Sequence, residues 1–278
     1  MGSLDTRRLI VCRHGERCDF CFSTHRFHWL DKAIDEAGRY QPFNLNLPRN
    51  LPKRRGGYDS FRHDTPLTEM GYLQAKLIGR AFRDREIKPH HVFVSPSLRC
   101  IQTAIGILKG MNENHTKLHI EPGLFEWMRF CRNVAPSWLT VDECLAAGYP
   151  VYQDYIPVVK ETELNMNESL IDFYDRSHLV SKTLLSRYPT GNLLFVAHGA
   201  TLDTCTRQLC GEAPRSNEEF FEIVQKTPYL SSIEARQTGA EQFEIIGTPV
   251  PPLAHSANAA YDSQYLTTPG YANNTDTL

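Results

Sequence analysis

Apolar segments of two kinds alternate along the chain, one of strand length and one with helical spacing. Leu9-Ile10-Val11-Cys12 is a short continuous apolar run, readable as a buried strand. Thr68 stands where an N-cap belongs, and Leu73, Leu77, Ile78, Ala81 and Phe82 follow on one predicted helical face to about Asp84. His91 to Ser95 reads as a second strand. Pro96 and Ser97 open another helix, carrying Leu98, Ile101, Ala104, Ile105 and Leu108. Leu118 to Glu121 predicts a third strand, and Ser169 to about Arg187 a helix closed by Pro189 and Gly191. Leu193 to Ala197 is the most hydrophobic run, and a further helix should begin near Thr201.

Strands that alternate with helices imply parallel pairing. The expected fold class is therefore α/β, a three-layer sandwich with a mostly parallel central sheet flanked by helices. Such sheets bind ligands beyond the carboxyl ends of their strands. The first, second and last runs lead into Arg13-His14, Ser95-Pro96 and His198, so three distant segments converge by topology alone. Residues 18–65 are aromatic, basic and rich in Pro and Gly, and read as an insertion with little regular structure. Residues 128–166 carry several prolines and read as a second insertion. One domain is expected over 1–254, with a flexible tail over 255–278 that is rich in Ala, Asn, Thr and Tyr.

Composition narrows the function classes. With 41% hydrophobic and 22% charged residues, the 278-residue chain has the makeup of a globular protein. A net charge of −2 argues against a general nucleic-acid binder. No apolar run reaches the length of a membrane span, and the start lacks the pattern of a secretory signal. The expectation is a cytoplasmic protein whose 8 cysteines stay reduced. Met1-Gly2 with Thr6 also fits an N-myristoylation pattern, a weaker reading than an ordinary start. Cys18, Cys21, His25 and His28 form a compact Cys/His run. Zinc modules place a longer loop between ligand pairs, so these read as ordinary helix or loop residues. Asn114, Asn167 and Asn273 begin glycosylation sequons that read as chance matches.

The chemistry concentrates in Arg13-His14-Gly15-Glu16-Arg17. A strand ends there, and a glycine-containing turn gathers backbone amides and two guanidinium groups, a setting suited to a phosphate. His14, between the arginines, can attack phosphorus and split ester hydrolysis into two steps through a phosphoramidate. A charged surface turn is the plain alternative. Arg99 falls in the first turn of a predicted helix, against the helix dipole, which an anion opposite it would explain. His198 follows an apolar strand; beside a phosphate it becomes a donor to the equatorial oxygens.

Together these boxes resemble the histidine phosphatase (phosphoglycerate-mutase-like) superfamily: Arg13 to Arg17, Pro66-Leu67-Thr68 with Gly71, Gln74 and Ala75, Ser95 to Arg99 with Gln102, Thr103 and Ala104, and His198. Asn44-Leu45-Asn46 with Pro48, Leu51-Pro52, Arg54 and Gly56-Gly57, and Glu121 to Trp127, are similar to one branch. That branch holds the phosphatase domains of the suppressors of T-cell receptor signalling and the insect ecdysteroid-phosphate phosphatases. The resemblance covers roughly residues 7 to 254. It implies His14 as nucleophile, Arg13, Arg17, Arg99 and His198 as the phosphate pocket, and Glu126 as the acid that protonates the leaving oxygen. Position 199 is Gly, so the His-Asp acid of other branches is absent, which favours Glu126. The activity implied is hydrolysis of protein phosphotyrosine or aryl phosphates. Steroid phosphates, a mutase reaction and an inactive phosphate-binding scaffold are the alternatives, in that order. No metal or cofactor is expected, since arginines supply the positive charge. A homodimer is what the resemblance suggests, and the chain reads either as an excised domain or as a one-domain relative.

Overall fold

The computed structural model describes residues 7–131 and 134–253, so the Gly2 pattern, Asn273 and the 255–278 tail lie outside the described residues. In chain order the elements are β1 (Arg8–Arg13), α1 (Cys18–Phe22), α2 (Trp29–Ala33), α3 (Glu69–Asp84), β2 (His91–Val94) and α4 (Leu98–Met111). Then come β3 (Leu118–Ile120), α5 (Val141–Ala146), α6 (Leu170–Arg187), β4 (Leu193–Ala197), α7 (Thr201–Thr204), α8 (Asn217–Lys226), β5 (Ser232–Gln237) and β6 (Phe243–Gly247). The strands form one sheet in the order β3-β2-β4-β1-β5-β6. The first four of these are parallel, whereas β5 and β6 run antiparallel to their neighbours. Strands β1 and β4 lie at the centre, covered on both faces, which is why their sequences are continuous apolar runs rather than alternating ones.

One apolar layer packs Ile78, Phe82, Ile101, Ala104 and Ile107 of α3 and α4 under Ile10 and Val196. The other packs Val180 and Leu184 of α6 against Val11, Phe93 and Phe195. This is the expected sandwich. Thr68 caps α3 by accepting from the Gly71 amide at 2.9 Å, but the buried stripe of that helix differs from the one its leucines suggest. Leu73 and Leu77 are 49% and 37% exposed, and Gly71, Gln74, Ala75, Ile78, Gly79 and Phe82 face inward. The reason is close approach: a Cβ on Gly79 would lie 1.9 Å from the Ile107 carbonyl oxygen. Helix α3 therefore turns its small residues toward α4, and the bulky leucines face out.

Six elements had no counterpart in the sequence reading: α1 and α2 in the first expected insertion, α5 in the second, and α8, β5 and β6. The 18–65 segment holds α1, α2 and a 3-10 turn, Gly57–Phe61, and contributes Trp29, Leu30, Ala33, Leu47 and Phe61 to the core. It also supplies a buried ion pair, Arg54 Nη1 to Asp64 Oδ2 at 3.0 Å, with both side chains 1% exposed. The other Asp64 oxygen accepts from the Leu98 amide at 2.8 Å, so a residue from outside α4 caps it in place of Ser97. Burial raises the Asp64 carboxyl pKa; Arg54 and the Leu98 amide oppose that shift. Asp64→Ala leaves a buried guanidinium and an uncapped helix, and should cost about 3 kcal/mol or more, read from urea unfolding. Wild-type-like unfolding would refute this. Among the described residues no helix is long and apolar enough to cross a membrane.

Candidate active site

The parallel register of β1 and β4 sets the middle of the site. Arg13 pairs with Ala197, and the His14 amide donates to the Ala197 carbonyl at 2.9 Å. The residues that leave the sheet together are therefore His14 and His198. Their rings meet edge to face, with centroids 5.5 Å apart. His14 Nδ1 lies 2.8 Å from the Gly15 carbonyl oxygen, which can only accept. The proton accordingly sits on Nδ1, and Nε2 carries the lone pair. His198 Nδ1 lies 3.3 Å from Arg99 Nη2, which can only donate, and its Nε2 lies 2.8 Å from Ser95 Oγ. Nε2–H thus donates to Ser95, and Nδ1 accepts.

Burial holds both imidazoles well below their ordinary pKa. Arg99, Arg13, neighbouring His198 and Arg17 add to this for His14, and Arg99, Arg17, Arg13 and Arg176 for His198. Below the ordinary imidazole value of about 6.5, the unfolded chain binds protons that the folded His14 and His198 refuse. Their contribution to stability is complete above that value and is lost as pH falls, by up to about 1.4 kcal/mol per pH unit for each ring. Unfolding free energies between pH 7.5 and 5.5 should show His14→Asn with a shallower slope than wild type; equal slopes would count against neutral buried imidazoles.

The arginines reach the site from separate elements. Arg13 Nη1 donates to the Thr227 carbonyl, and the guanidinium stacks 4.5 Å from the centre of the Tyr229 ring. The same segment holds the backbone: the Arg13 amide donates to Ser231 O at 2.8 Å and the Leu230 amide to His14 O at 3.3 Å. Leu230 adopts a left-handed φ of 60°, a strained conformation for a branched residue, to do so. Arg17 makes a fork with Asp19 through Nε and Nη2 at 2.7 and 2.6 Å, and its guanidinium covers Phe20. Arg99, its side chain 2% exposed, donates through Nη2 to Glu126 Oε1 at 2.5 Å. That oxygen lies 4.0 Å from His198 Nδ1, and Glu126 is the more exposed partner, its side chain 19% accessible. Gly71 lets α3 abut the turn after His14: a Cβ there would meet the Glu16 carbonyl oxygen at 2.6 Å.

A small cleft is lined by Arg13, His14, Arg17, Glu126 and His198, with Phe20, Phe130 and Val224 as apolar wall. Arg99 sits just behind it, through its contacts to Glu126 and His198. The Cys100 thiol is 3.9 Å from His198 Nε2, but burial first, then Glu126 and Asp64 against Arg99 and Ser95, push it up to about 12. It stays a thiol and is no rival nucleophile.

A family description, the histidine phosphatase superfamily (branch 1), matches residues 53–242. The chain belongs to that superfamily. The matched span begins downstream of β1, so the Arg13 to Arg17 box lies outside it. Two curated relatives are similar over almost the whole chain. The ecdysteroid-phosphate phosphatase of Drosophila melanogaster is 40% identical over 94% of this chain and 35% of its own length. The mouse (Mus musculus) ubiquitin-associated and SH3 domain-containing protein B is 38% identical over 92% of this chain and 40% of its own length. The chain thus spans little more than a third of such relatives. A solved structure, the ecdysone phosphate phosphatase of Bombyx mori in complex with tungstate, has a TM-score of 0.79 at 28% identity. That alignment covers 94% of this chain and 99% of the other.

Within this superfamily member, all six residues singled out by sequence lie at one site. Among nearby aromatic residues, Phe20 and Phe130 line the cleft; Phe22 packs on Phe43, while Trp29 and Trp127 are buried in the interior. In the Cys/His run, the buried Cys18 thiol donates to Leu67 O at 3.3 Å and His28 caps α2 through the Leu30 amide. Among the described residues no group of three or more His, Cys, Asp or Glu is placed to hold a metal. Sequence reasoning overlooked Thr227 and Tyr229, which grip Arg13, and Asp19, which orients Arg17. It also missed Arg176, although a charged residue on the buried stripe of Phe173, Ser177 and Val180 is a visible irregularity.

Proposed function

We propose that this chain is a phosphomonoester hydrolase working through a phosphohistidine on His14. The observation that carries the reading is the orientation of His14: its Nδ1–H is committed to Gly15 O, and its Nε2 lone pair is the reactive end, beside His198 and the guanidinium groups. Arg13, Arg17 and Arg99 hold the non-bridging oxygens of the phosphoryl group, and His198 completes their set. In the first step the Nε2 lone pair forms the N–P bond, the P–O bond to the leaving group breaks, and Glu126, protonated from solvent once the substrate has displaced it from Arg99, gives that proton to the departing oxygen. In the second, the Glu126 carboxylate takes a proton from water as the water oxygen bonds to phosphorus. The P–N bond breaks, and His14 is returned neutral with inorganic phosphate released.

Arg99 donates to Glu126 Oε1, and His198 Nδ1 lies 4.0 Å from the same oxygen, so this carboxylate occupies the place that a phosphoryl oxygen needs. A substrate phosphate competes with Glu126 for Arg99 and frees the acid to turn toward the leaving group. His198 then has an anion beside Nδ1, which raises its proton affinity and turns that nitrogen into a donor. Vanadate or tungstate should therefore inhibit competitively and should take up protons on binding near neutral pH, read by calorimetry in buffers of different ionisation enthalpy. Binding with no proton uptake would remove His198 from the donor set.

The proposed substrates are protein phosphotyrosine or aryl phosphates, whose flat leaving groups suit the wall made by Phe20, Phe130 and Val224. A steroid phosphate is the second reading, supported by the likeness to the two insect phosphatases. A panel of phosphotyrosine peptides, phosphoserine peptides, sugar phosphates and steroid phosphates tests the choice. Phosphotyrosine turnover no faster than that of phosphoserine would discard the first reading. A mutase would release little inorganic phosphate from any of them.

A further inference from the structure

We infer that Arg176 and Glu168 form a positioning clamp for Glu126, and so govern proton delivery to the leaving group; the inference rests on the acid role proposed above. Glu126 lies in a segment with no regular secondary structure, after the 3-10 turn Pro122–Leu124. Such a segment does not by itself fix a side chain to the tolerance that proton transfer demands. Arg176, in the second turn of α6, grips the approach to it. Its Nη1 donates to Gly123 O at 2.8 Å and to Phe125 O at 2.9 Å, and its Nη2 to Glu126 O at 3.3 Å. Glu168, just before the N-cap of α6, grips the exit. Its Oε1 accepts from the Met128 amide at 2.8 Å, and its backbone carbonyl from Trp127 Nε1 at 3.0 Å.

The two halves are joined by a fork: Arg176 Nε to Glu168 Oε2 at 3.0 Å and Nη2 to Glu168 Oε1 at 2.6 Å. The side chains are 8% and 4% exposed. Carbonyls up to Glu126 thus point at one buried cation, and the Met128 amide after it at one buried anion. Both partners stand at the start of the same long helix, which makes the support rigid. Glu121 adds a second anchor upstream. Fully buried, it accepts from the Gly123 amide and the Val158 and Val159 amides, and from the Tyr155 hydroxyl at 2.6 Å. Neither Arg176 nor Glu168 lines the cleft. They act through Glu126.

The test uses kcat/KM across aryl and alkyl phosphates of graded leaving-group basicity, since that parameter reports the step in which the ester bond breaks. Arg176→Met should lower kcat/KM by less than about 3-fold for 4-nitrophenyl phosphate, whose leaving group needs no proton. For benzyl phosphate the loss should be about 30-fold or more. Arg176→Lys, a point charge that cannot serve three carbonyls and a carboxylate together, should fall between. Glu126→Gln runs in parallel as the direct control. Equal losses on both substrates in Arg176→Met, with steep leaving-group dependence in Glu126→Gln, would overturn the clamp while leaving the acid role intact. No leaving-group dependence in Glu126→Gln would overturn the acid role itself. Should Arg176→Met melt below the assay temperature, Glu168→Gln gives the same reading. It removes the negative charge from the fork, and should show the leaving-group signature at about 5-fold or more, against a uniform loss if the pair only stabilises the fold.

Discussion

His14→Ala should abolish turnover, with kcat/KM on an aryl phosphate falling by about 10⁵-fold or more. The size follows from what the side chain does. The arginines and His198 can still hold a phosphate, but the His198 Nδ1 lone pair and the Glu126 carboxylate are both engaged by Arg99, and the nearby Cys100 is kept as a thiol by burial. Binding of vanadate should weaken far less than catalysis, because the cations that hold it remain. The decisive measurement is rapid acid-free quenching with ³²P-labelled substrate: wild type traps label on protein and His14→Ala does not. A labelled His14→Ala protein, or one retaining more than about 1% of turnover, would mean that the phosphoryl group passes elsewhere.

The second largest effect is expected at Arg99. Arg99→Met should reduce kcat/KM by about 10³-fold, the scale for loss of one preorganised cation from a developing phosphoryl charge. Its consequences are compound, since Arg99 touches both Glu126 and His198. Removing it leaves Glu126 without its ion partner and takes away a charge that helps keep His198 neutral. The pH profile should therefore shift as well as fall. Arg99→Lys should recover only part of the loss, because its shorter stem does not carry the ammonium to the position from which Nη2 serves both Glu126 and His198. A fall of less than about 10-fold in Arg99→Met would show that Arg99 is an anchor for Glu126 rather than a phosphate ligand.

The central strands and the long helices were readable because two-sided burial and amphipathic spacing leave dense local patterns. So was the convergence of His14 and His198, since strand ends in a parallel sheet point to one edge. Register turned that convergence into contact, and register is not a local property. Residues 227–231 were invisible for the same reason. Nothing in Thr227-Pro228-Tyr229-Leu230-Ser231 announces that its carbonyls and ring brace Arg13 from more than 200 positions away. Strand β5 carries charges, Glu234 and Arg236, that blur its alternation; Glu234 pairs with both Arg236 and Arg8. The inward face of α3 was misread because helical periodicity locates a stripe by the largest apolar residues, whereas close packing on α4 selected the smallest.

The bracing of Arg13 and His14 by Leu230 and Ser231 also has a consequence in time. The nucleophile leaves a ribosome more than 200 residues before the amide and carbonyl that hold its backbone, those of Leu230 and Ser231. A nascent chain stalled after α7 carries every proposed catalytic side chain and should remain inert, because Arg13 has nothing to lean on. Hydrolytic competence should arrive abruptly, only once the polypeptide has extruded past Ser231, long after the parallel core can form.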